Sequence, residues 1–456
     1  MTATSATSDP AHKVVSPGGA SVGGHEIGYP HGHLGHLSAD EEDSFRNFKL
    51  LLQEKGLYKP GPPASHDDQT LIRFLRARRW VVPDAYKQFS DTEAWRKANH
   101  LDVLYDTIDV DAYEETRKLY PQWTGRRDKR GIPLYLFEIK HLDSKTVSNY
   151  EKSSANTFTS HAETDGTTPP KLLRLFALYE NLTRFAQPLC TNLPDRPHHE
   201  TPITLSTNIV DVSGVSLRQF WNLKGHMQAA STLATAHYPE TLDRIFIIGA
   251  PMFFSTVWGW IKRWFDPITV SKIFILGAHE VKSTLEGFVD PENIPQQYGG
   301  GLDFKWGEPP NLDPAVHETV KWENGHTKFP KGPMVWRPTG DGETLECVAI
   351  GTSGPDHAPR SERVCTMPRL FRPSTEERSL SVESKGSKTD TAPAVTTGVE
   401  TADAPAVSTN SDDTSSTVVE GVQKLDINGT SENSEPVDLS EKKAQDDAQA
   451  VQTTVA

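Results

Sequence analysis

Hydrophobic and polar positions follow two different periods along the chain, and the first is helical. Between residues 40 and 105, apolar side chains recur every three or four positions, the spacing of an amphipathic helix. Asp67 and Asp68 begin the segment DDQTLIRFLRARRW and are candidates to cap its first turn. Pro83-Asp84 has the composition that starts a further helix. The pattern predicts a helical N-terminal domain over residues 40–105.

The second period begins near residue 115, where short runs of β-branched and aromatic residues alternate with helical stretches. Strand patterns occur at residues 134–139, 203–212 and 245–248. Alternating strands and helices predict an α/β sheet with helices packed on it, and we assign this domain to residues 106–305. Residues 306–370 alternate Pro and Gly turns with short apolar runs, which predicts an irregular β-like extension.

The two ends of the chain have compositions that do not favour a packed core. Residues 1–39 are rich in Ser, Gly, His and Pro, and no aromatic residue follows Phe371. Residues 372–456 hold 7 Lys or Arg and 16 Asp or Glu, a net charge of −9 within a whole-chain value of −14. Low hydrophobicity with excess charge cannot offset the entropy of ordering. We therefore predict disordered termini at 1–39 and 371–456, and we assign the acidity to a tail rather than to a binding surface.

One short segment, residues 253–265, is unusually rich in aromatic and aliphatic side chains. Its apolar positions recur at helical spacing, so they form one continuous face with Lys262 and Arg263 beside it. Such a helix is too short to cross a bilayer, which requires about 20 apolar residues. It suits a membrane surface or the cover of an apolar cavity, and an ordinary core helix is the alternative. The residues of this face are Phe253, Phe254, Val257, Trp258, Ile261, Trp264 and Phe265.

Composition and missing motifs narrow the class of protein. The three cysteines show no CxxC spacing and leave an odd count, which favours a reducing compartment. The N-terminus lacks the apolar region of a signal peptide, and no run of 18 apolar residues occurs. Neither a GxSxG elbow nor a GxGxxG fingerprint is present, and Gly299–Gly301 is not followed by GK[ST]. We expect a cytoplasmic protein that is not an enzyme and has no metal or cofactor.

Two groups of charged residues are candidates for binding a phosphate. The LRARRW run contains three arginines, whose guanidinium groups suit phosphate, although a solvated helix face is the alternative. Lys272 lies in the apolar segment DPITVSKIFILG, which we interpret as a helix, where a cation is costly unless it is paired. Glu240 is its candidate partner. Together they could recognise a polyol phosphate, or they could form a structural ion pair.

The histidine motif HGHLGH, which contains His31, His33 and His36, resembles a metal-binding pattern. Because it falls in a segment predicted to be disordered, we interpret it as a feature of composition rather than as a metal site.

Several motifs together resemble the CRAL-TRIO lipid-transfer family, and they are most similar to the fungal phosphatidylinositol transfer proteins of the secretory pathway. In chain order they are LIRFLRARRW, NIVDVSGVS, HYPETL, APMFFST, DPITVSKIFILG and IPQQYGG. The resemblance covers residues 60–303. It implies a helical CRAL-TRIO-N segment followed by a mixed-sheet α/β bowl around a large apolar cavity. A movable gate helix would close that cavity, and residues 253–265 take that place.

The resemblance also implies residues for the inositol phosphate headgroup. These are the second Arg of RAR, the Glu after YP, and the Thr and Lys of the DPITVSK segment. In this sequence they are Arg78, Glu240, Thr269 and Lys272.

For a second lipid, the resemblance implies a site at Ser206, Asn208, Thr124 and Tyr135. Ser206 and Tyr135 match the family pattern, whereas Asn208 replaces a Thr and Thr124 replaces a second Tyr. Losing an aromatic residue weakens cation–π recognition of choline by about 0.5–2 kcal/mol. We therefore expect phosphatidylethanolamine, a sterol or another lipid in place of phosphatidylcholine.

The function implied is binding of phosphatidylinositol and a second lipid, and their exchange between membranes in support of phosphoinositide supply. The alternative is a lipid sensor or adaptor that presents lipid to a kinase or regulator without bulk transfer. Bound phospholipid is the ligand, and the expected partner is a membrane surface that the protein contacts peripherally and transiently, at the Golgi or endosomes. We expect a monomer and no nucleic-acid partner.

Overall fold

A computed structural model describes residues 28–264 and 270–372, together with a short hairpin of β1 (Ser21–Val22) and β2 (His25–Glu26). The disorder expected for the two ends falls largely outside these residues. Thr269 and Phe265 also lie outside them, as does the side chain of Trp264. The described fold begins at Gly28 rather than at residue 40, because Tyr29 and His33 are buried against the folded domain.

The N-terminal helices are confirmed, and their starts follow local capping rules. Ser38 and Glu41 form a reciprocal capping box at the first helix, and Asp67 accepts the N–H of Thr70 at the second. Pro83 lies in the first turn of the third helix, where its missing N–H is harmless. The helices are α1 (Ala39–Glu54), α2 (Asp68–Ala77), α3 (Val82–Ala98), α4 (Leu101–Thr107) and α5 (Val110–Arg117). Leu52, Leu71 and Phe89 are among the fully buried residues that join α1, α2 and α3.

A mixed five-stranded sheet forms the centre of the α/β domain. Its strands are β3 (Gln122–Arg127), β4 (Pro133–Glu138), β5 (Ser206–Asp211), β6 (Leu242–Ile248) and β7 (Ile273–Leu276). They lie side by side in that order; β3 and β4 are antiparallel, and the later neighbours are parallel. The helix expected over DPITVSKIFILG is wrong from Lys272 onward: Val270 and Ser271 are helical, but Lys272 lies in a turn and Ile273–Leu276 pairs with β6 as an edge strand.

Helices cover both faces of this sheet. They are α6 (Ser144–Asn156), α7 (Pro170–Asn181), α8 (Gln187–Thr191), α9 (Leu217–His237), α10 (Phe254–Ile261) and α11 (Val281–Phe288). A π-helical stretch, Leu182–Ala186, joins α7 to α8. The α/β architecture expected from the alternating pattern is confirmed.

The two faces of the sheet have different roles because successive side chains of a strand point to opposite sides. One face carries Leu136, Ile209 and Phe246, which pack against α11 and the segment that follows it. The other face carries Tyr135, Asn208 and Ile245, which line an internal cavity. The alternation therefore makes one face of the sheet a core and the other a cavity wall.

Residues 306–370 form an ordered β extension. It contains α12 (Pro314–Thr319) and the strands β8 (Lys321–Trp322), β9 (Met334–Pro338), β10 (Thr344–Ala349), β11 (Thr352–Ser353), β12 (Ala358–Pro359) and β13 (Glu362–Pro368). Strands β8, β13, β10 and β9 form an antiparallel sheet in that order. Val335, Val348 and Ile350 join the same hydrophobic core as α4 and α7. The extension is therefore continuous with the core of the α/β domain.

Candidate functional site

An apolar cavity of about 360 Å³ lies beneath α7, α9 and α10, against one face of the sheet. This volume falls within the range of about 300–1,000 Å³ that is usual for small-molecule sites. Its apolar lining includes Phe137, Val210 and Ile247 from the sheet, Leu175 and Leu178 from α7, Met227 and Ala230 from α9, and Phe254, Trp258 and Ile261 from α10. Such a surface suits a hydrocarbon chain.

The helix α10 covers the cavity with the apolar face expected from the sequence. Phe254, Val257 and Ile261 are buried at helical spacing, while Phe253 and Trp258 are half-buried. The turn before the helix contains Gly249 at φ +67°, where a Cβ would collide with the Ser213 side chain. That position therefore requires glycine for both conformation and space.

One end of the cavity is polar and is organised around Glu240. Its carboxylate Oε2 accepts from Arg76 Nη2 at 3.0 Å and from Lys272 Nζ at 3.2 Å. Lys272 also donates to the carbonyl of Leu242 at 3.0 Å. Two cations thus share one carboxylate, which leaves this end of the cavity with excess positive charge. Glu240 is held at φ +55°, a strained conformation that is more common at functional sites than elsewhere.

Arg78 reaches the same end of the cavity from the end of α2. The helix ends at Ala77, and Arg78 lines the cavity as an exposed residue. Within residues 28–264 and 270–372 its guanidinium has no hydrogen bond or ion pair. The structure therefore brings Arg78, Glu240 and Lys272 to one cavity, and the fourth expected residue, Thr269, lies outside the described part of the chain.

Two residues lie just behind this polar end in an arrangement that the sequence did not reveal: Arg76, expected only as one of three arginines suited to phosphate, and His33, noted only within HGHLGH. Arg76 makes the direct ion pair with Glu240, and its Nη1 contacts His33 Nε2. His33 Nδ1 lies 3.0 Å from the carbonyl of His31, which fits a proton on Nδ1 and an acceptor at Nε2. Burial, assisted by the charge of Arg76, holds the pKa of His33 well below its ordinary value. The ring is therefore neutral at pH 7.

A signal for this placement was present in the sequence, although it was weak. Ser38 and Glu41 have the capping-box spacing that fixes the start of α1, and Tyr29 is an aromatic residue just upstream. Tyr29 is 1% exposed and its hydroxyl donates to the carbonyl of Thr201, which anchors the segment that carries His33.

A second polar group lies on the cavity wall formed by the sheet. Ser206, Asn208 and Tyr135 all line the cavity. Asn208 Nδ2 donates to Ser206 Oγ at 3.0 Å, and Ser206 Oγ donates to the carbonyl of Thr241 at 3.1 Å. Burial raises the pKa of Tyr135 well above its ordinary value, so it remains a neutral phenol.

Thr124, the remaining position expected in the second-lipid site, is placed differently. It is fully buried, and its hydroxyl donates to the carbonyl of Leu134 at 2.9 Å. It is not among the residues that line the cavity. The neighbour that pairs directly with Tyr135 across the two strands is Trp123.

Two family models match this chain, one in the N-terminal helices and one in the α/β domain. The family model described as "CRAL/TRIO domain" matches residues 117–300, and "CRAL/TRIO, N-terminal domain" matches residues 34–91. The first spans the sheet and most of the cavity lining, and the second spans α1, α2 and the first part of α3. None of the described helices combines the length and the apolar character needed to cross a bilayer.

Similar proteins come from fungi and plants. The chain is 33% identical to "SEC14 cytosolic factor" of Yarrowia lipolytica over 69% of this chain and 58% of that protein. It is 30% identical to "Sec14 cytosolic factor" of Schizosaccharomyces pombe over 61% of this chain and 88% of that protein. It is 28% identical to "Phosphatidylinositol/phosphatidylcholine transfer protein SFH9" of Arabidopsis thaliana over 62% of this chain and 46% of that protein.

Proposed function

The chain belongs to the CRAL/TRIO family, and we propose that it binds phosphatidylinositol and a second lipid in its cavity and exchanges them between membranes. The observation that carries the proposal is an apolar cavity with one positively charged end. A phospholipid has the same division between acyl chains and an anionic headgroup. Exchange of this kind would support phosphoinositide supply.

The energetics of a lipid chain in water explain why a carrier needs this arrangement. Each methylene exposed to water costs about 0.8 kcal/mol, so a chain of about 18 carbons costs roughly 14 kcal/mol. Spontaneous departure from a membrane is therefore very slow. A protein that docks on the membrane and moves α10 aside gives the chain a path that avoids water.

The charged residues at the polar end fit the parts of an inositol phosphate. Lys272 and Arg78 supply cationic donors for the phosphate, and Glu240 can accept hydrogen bonds from inositol hydroxyls. Arg76 holds Glu240 in place by its ion pair. Thr269 completes the proposed headgroup site as a hydroxyl donor.

For the second lipid, we propose a headgroup that can donate a hydrogen bond. Ser206 and Asn208 present polar atoms on the cavity wall, and Thr124 adds no aromatic ring there. A quaternary choline has no N–H and relies on aromatic rings, whereas an ethanolamine ammonium or a sterol hydroxyl can hydrogen-bond. The name of the Arabidopsis relative states transfer of phosphatidylinositol and phosphatidylcholine, so a second lipid other than phosphatidylcholine would set this chain apart.

The alternative role is a lipid sensor or adaptor, and the acidic residues 371–456 favour it. A long charged segment after the lipid-binding domain could engage a kinase or another regulator. In either role we propose a monomer that works in the cytoplasm and contacts Golgi or endosomal membranes transiently. No chemical reaction is part of the proposal.

The test is transfer of labelled lipid between two populations of vesicles. Lys272→Ala should reduce phosphatidylinositol transfer by at least about tenfold, because a charge-assisted hydrogen bond contributes about 1.5–3 kcal/mol. Lys282→Ala is the matched control, since Lys282 is an exposed lysine of α11 that also pairs with a glutamate, Glu286.

Two measurements on Lys272→Ala, its thermal unfolding and its transfer of the second lipid, separate a role in headgroup binding from loss of the fold. Lys272→Ala removes one of the two cations paired with Glu240, so its unfolding midpoint should fall about as far as that of Arg76→Ala, but the variant should stay folded and keep its transfer of the second lipid. Equal loss of transfer for both lipids in a folded variant would show that Lys272 does not select the inositol headgroup. Unchanged phosphatidylinositol transfer would contradict the proposed site.

A further inference from the structure

The N-terminal segment 28–38 and the loop 196–201 meet at a cluster of metal-binding side chains. His36 Nε2 lies 2.5 Å from Glu200 Oε1, and His198 Nδ1 lies 3.6 Å from the same oxygen. The three ligand atoms are all within 4.8 Å of one another. From this geometry we propose that His36, His198 and Glu200 bind a divalent ion of the zinc class, which ties the segment to the loop.

The spacing and the donor types fit such an ion. Zinc binds imidazole nitrogen and carboxylate oxygen at about 2.0–2.2 Å, so tetrahedral ligands lie about 3.3–3.6 Å apart. The 3.6 Å separation of His198 from Glu200 fits that range, and the 2.5 Å separation of His36 from Glu200 is shorter, so a movement of His36 by about 1 Å would admit the ion. Two imidazoles and one carboxylate favour zinc over the hard cations magnesium and calcium, which prefer oxygen ligands.

The loop that carries two of the ligands is organised before any ion binds. The Arg196 side chain is 2% exposed, and its guanidinium donates to the carbonyls of His198 at 2.7 Å and His199 at 3.0 Å. It also donates to the carbonyl of Thr201 at 2.8 Å. These bonds fix the backbone on both sides of Glu200, which lowers the cost of assembling a site.

The segment that supplies His36 is held against this loop by independent contacts. The hydroxyl of Tyr29 accepts from Arg196 Nη1 at 3.2 Å and donates to the carbonyl of Thr201 at 3.1 Å. Gly35 passes so close to Glu200 that an added Cβ would lie 3.0 Å from its carbonyl oxygen. His36 is therefore presented to His198 and Glu200 although it lies 164 residues from Glu200 in the chain.

The exposure of the cluster indicates how the ion would act. The side chains of His36, His198 and Glu200 are 27%, 39% and 53% exposed, so water can fill a remaining coordination position. The same segment carries His33, which contacts Arg76 at the polar end of the cavity. Zinc would thus stabilise the segment that packs beside the headgroup site, as a structural ion and not as a cofactor of exchange. The interpretation of HGHLGH as a feature of composition is revised accordingly.

The experiment is calorimetric titration of ZnCl₂ into the full-length chain, purified without a histidine tag and stripped of metal. We expect binding of about one ion per chain, and a loss of affinity of about tenfold or more in His198→Gln and Glu200→Gln. His199→Gln is the matched control, because it removes the adjacent exposed histidine, which lies outside the cluster. The control should bind zinc as the native chain does.

Thermal unfolding and hydrogen exchange provide a second measurement, which controls for variants that fail to fold. Zinc should raise the thermal unfolding midpoint and slow hydrogen exchange over residues 28–38 in the native chain and in His199→Gln. It should do neither in His36→Gln, which changes the N-terminal side of the cluster alone. Absence of zinc binding to the native chain would overturn the proposal. Equal zinc binding by the native chain, His198→Gln and Glu200→Gln would also overturn it, by placing the ion elsewhere.

Discussion

At the scale of single residues, two neighbouring arginines have different surroundings and therefore different expected roles. Arg76 is held between Glu240 and His33, with a side chain that is 12% exposed. Arg78 is exposed and has no ionic partner within the described part of the chain. The first arginine should contribute mainly to stability, and the second should contribute mainly to ligand binding.

Substitution of each arginine by alanine tests this division. Arg76→Ala should lower the free energy of unfolding by about 1–3 kcal/mol, because Glu240 loses one of its two cations. Arg78→Ala should change it by less than about 0.5 kcal/mol, yet it should weaken phosphatidylinositol binding roughly tenfold because a charge-assisted bond is lost. Urea unfolding and lipid-binding titrations measure the two effects. A large loss of stability in Arg78→Ala would contradict the assignment.

A half-buried histidine, His237, predicts how the stability of the fold depends on pH. His237 stacks on Trp95 with ring centroids 4.1 Å apart, and burial lowers its pKa to about 4, with Arg96 contributing and Asp91 opposing. Below the unfolded value of about 6.5, the unfolded chain binds a proton that the folded chain does not. The fold therefore loses stability as pH falls from about 6.5 towards about 4, by about 2 kcal/mol at pH 5.

The variant His237→Gln isolates this contribution. Between pH 7 and pH 5, its free energy of unfolding should fall by about 2 kcal/mol less than that of the native chain. The measurement is urea unfolding at both pH values. The same fall in both proteins would show that His237 is not the group responsible.

Contacts between residues close together in the sequence were easier to predict than contacts between distant segments. Asp67 was identified as a helix cap because its partner, Thr70, is three residues away. The pairing of Glu240 with Lys272 was expected because a cation in an apolar segment needs a partner, and it is present at 3.2 Å. The contact of His36 with Glu200 joins distant segments, and no local pattern in the sequence indicates it.

At the scale of secondary structure elements, the clearest error concerned β7. A short apolar run can form either a buried strand or a helix, and its periodicity alone does not decide. Ile273–Leu276 is a strand because β6 offers an open edge to which it pairs in parallel. The helix α10 was predictable, because its apolar residues recur at helical spacing over its two turns.

Helices α9 and α10 share an exposed aromatic surface that we expect to contact membranes. Trp221 on α9 is 56% exposed and meets Trp260 on α10 with ring centroids 5.8 Å apart. Lys224 Nζ lies 4.9 Å from the Trp221 ring centre, and Met252 is fully exposed before α10. Tryptophan with adjacent cations is typical of a membrane interface.

Loss of one aromatic side chain should weaken this contact. Trp221→Ala should reduce partitioning onto anionic vesicles roughly tenfold, since burying a large apolar side chain contributes about 1.5–3 kcal/mol and only part of the ring is free. Val103→Ala, at another exposed apolar residue on α4, is the control. Vesicle flotation gives the bound fraction, and the unfolding midpoint should be unchanged. An equal loss of vesicle binding in the two variants would show that the aromatic surface of α9 and α10 is not a specific membrane contact.

At the scale of the whole molecule, the β extension shares a hydrophobic core with the α/β domain. Tyr105 in α4 donates to the carbonyl of Met334 in β9 at 2.6 Å. Val335 and Val348 join the hydrophobic core that includes α4 and α7. The sequence indicated β structure here, but it did not reveal this shared core, because Pro and Gly turns hide the period of short strands.

Two deletions test the role of this shared core. Each buried side chain of the extension contributes about 1.5–3 kcal/mol, and the sum of several approaches the net stability of a folded protein, roughly 5–15 kcal/mol. Removing residues 306–456 should therefore prevent stable folding. Removing residues 373–456 should preserve the unfolding midpoint and lipid transfer. Thermal unfolding and vesicle transfer measure both. A stable protein without residues 306–456 would contradict the shared core.

The shorter deletion also separates the two proposed roles. A transfer protein lacking residues 373–456 should keep its function in cells, whereas an adaptor that works through its acidic tail should lose it. Complementation in cells by the shortened chain is therefore the deciding measurement.

Selection of phosphatidylinositol by the charged end of the cavity is the property on which the proposed function depends. The measurement that decides it is native mass spectrometry with lipid extraction, on the native chain and Lys272→Ala purified from a eukaryotic host. We expect phosphatidylinositol and a second lipid bound to the native chain, and only the second lipid bound to the variant. A native cavity that holds only a sterol or another hydrophobe, or equal phosphatidylinositol in both proteins, would contradict it and make Lys272 and Glu240 a structural pair.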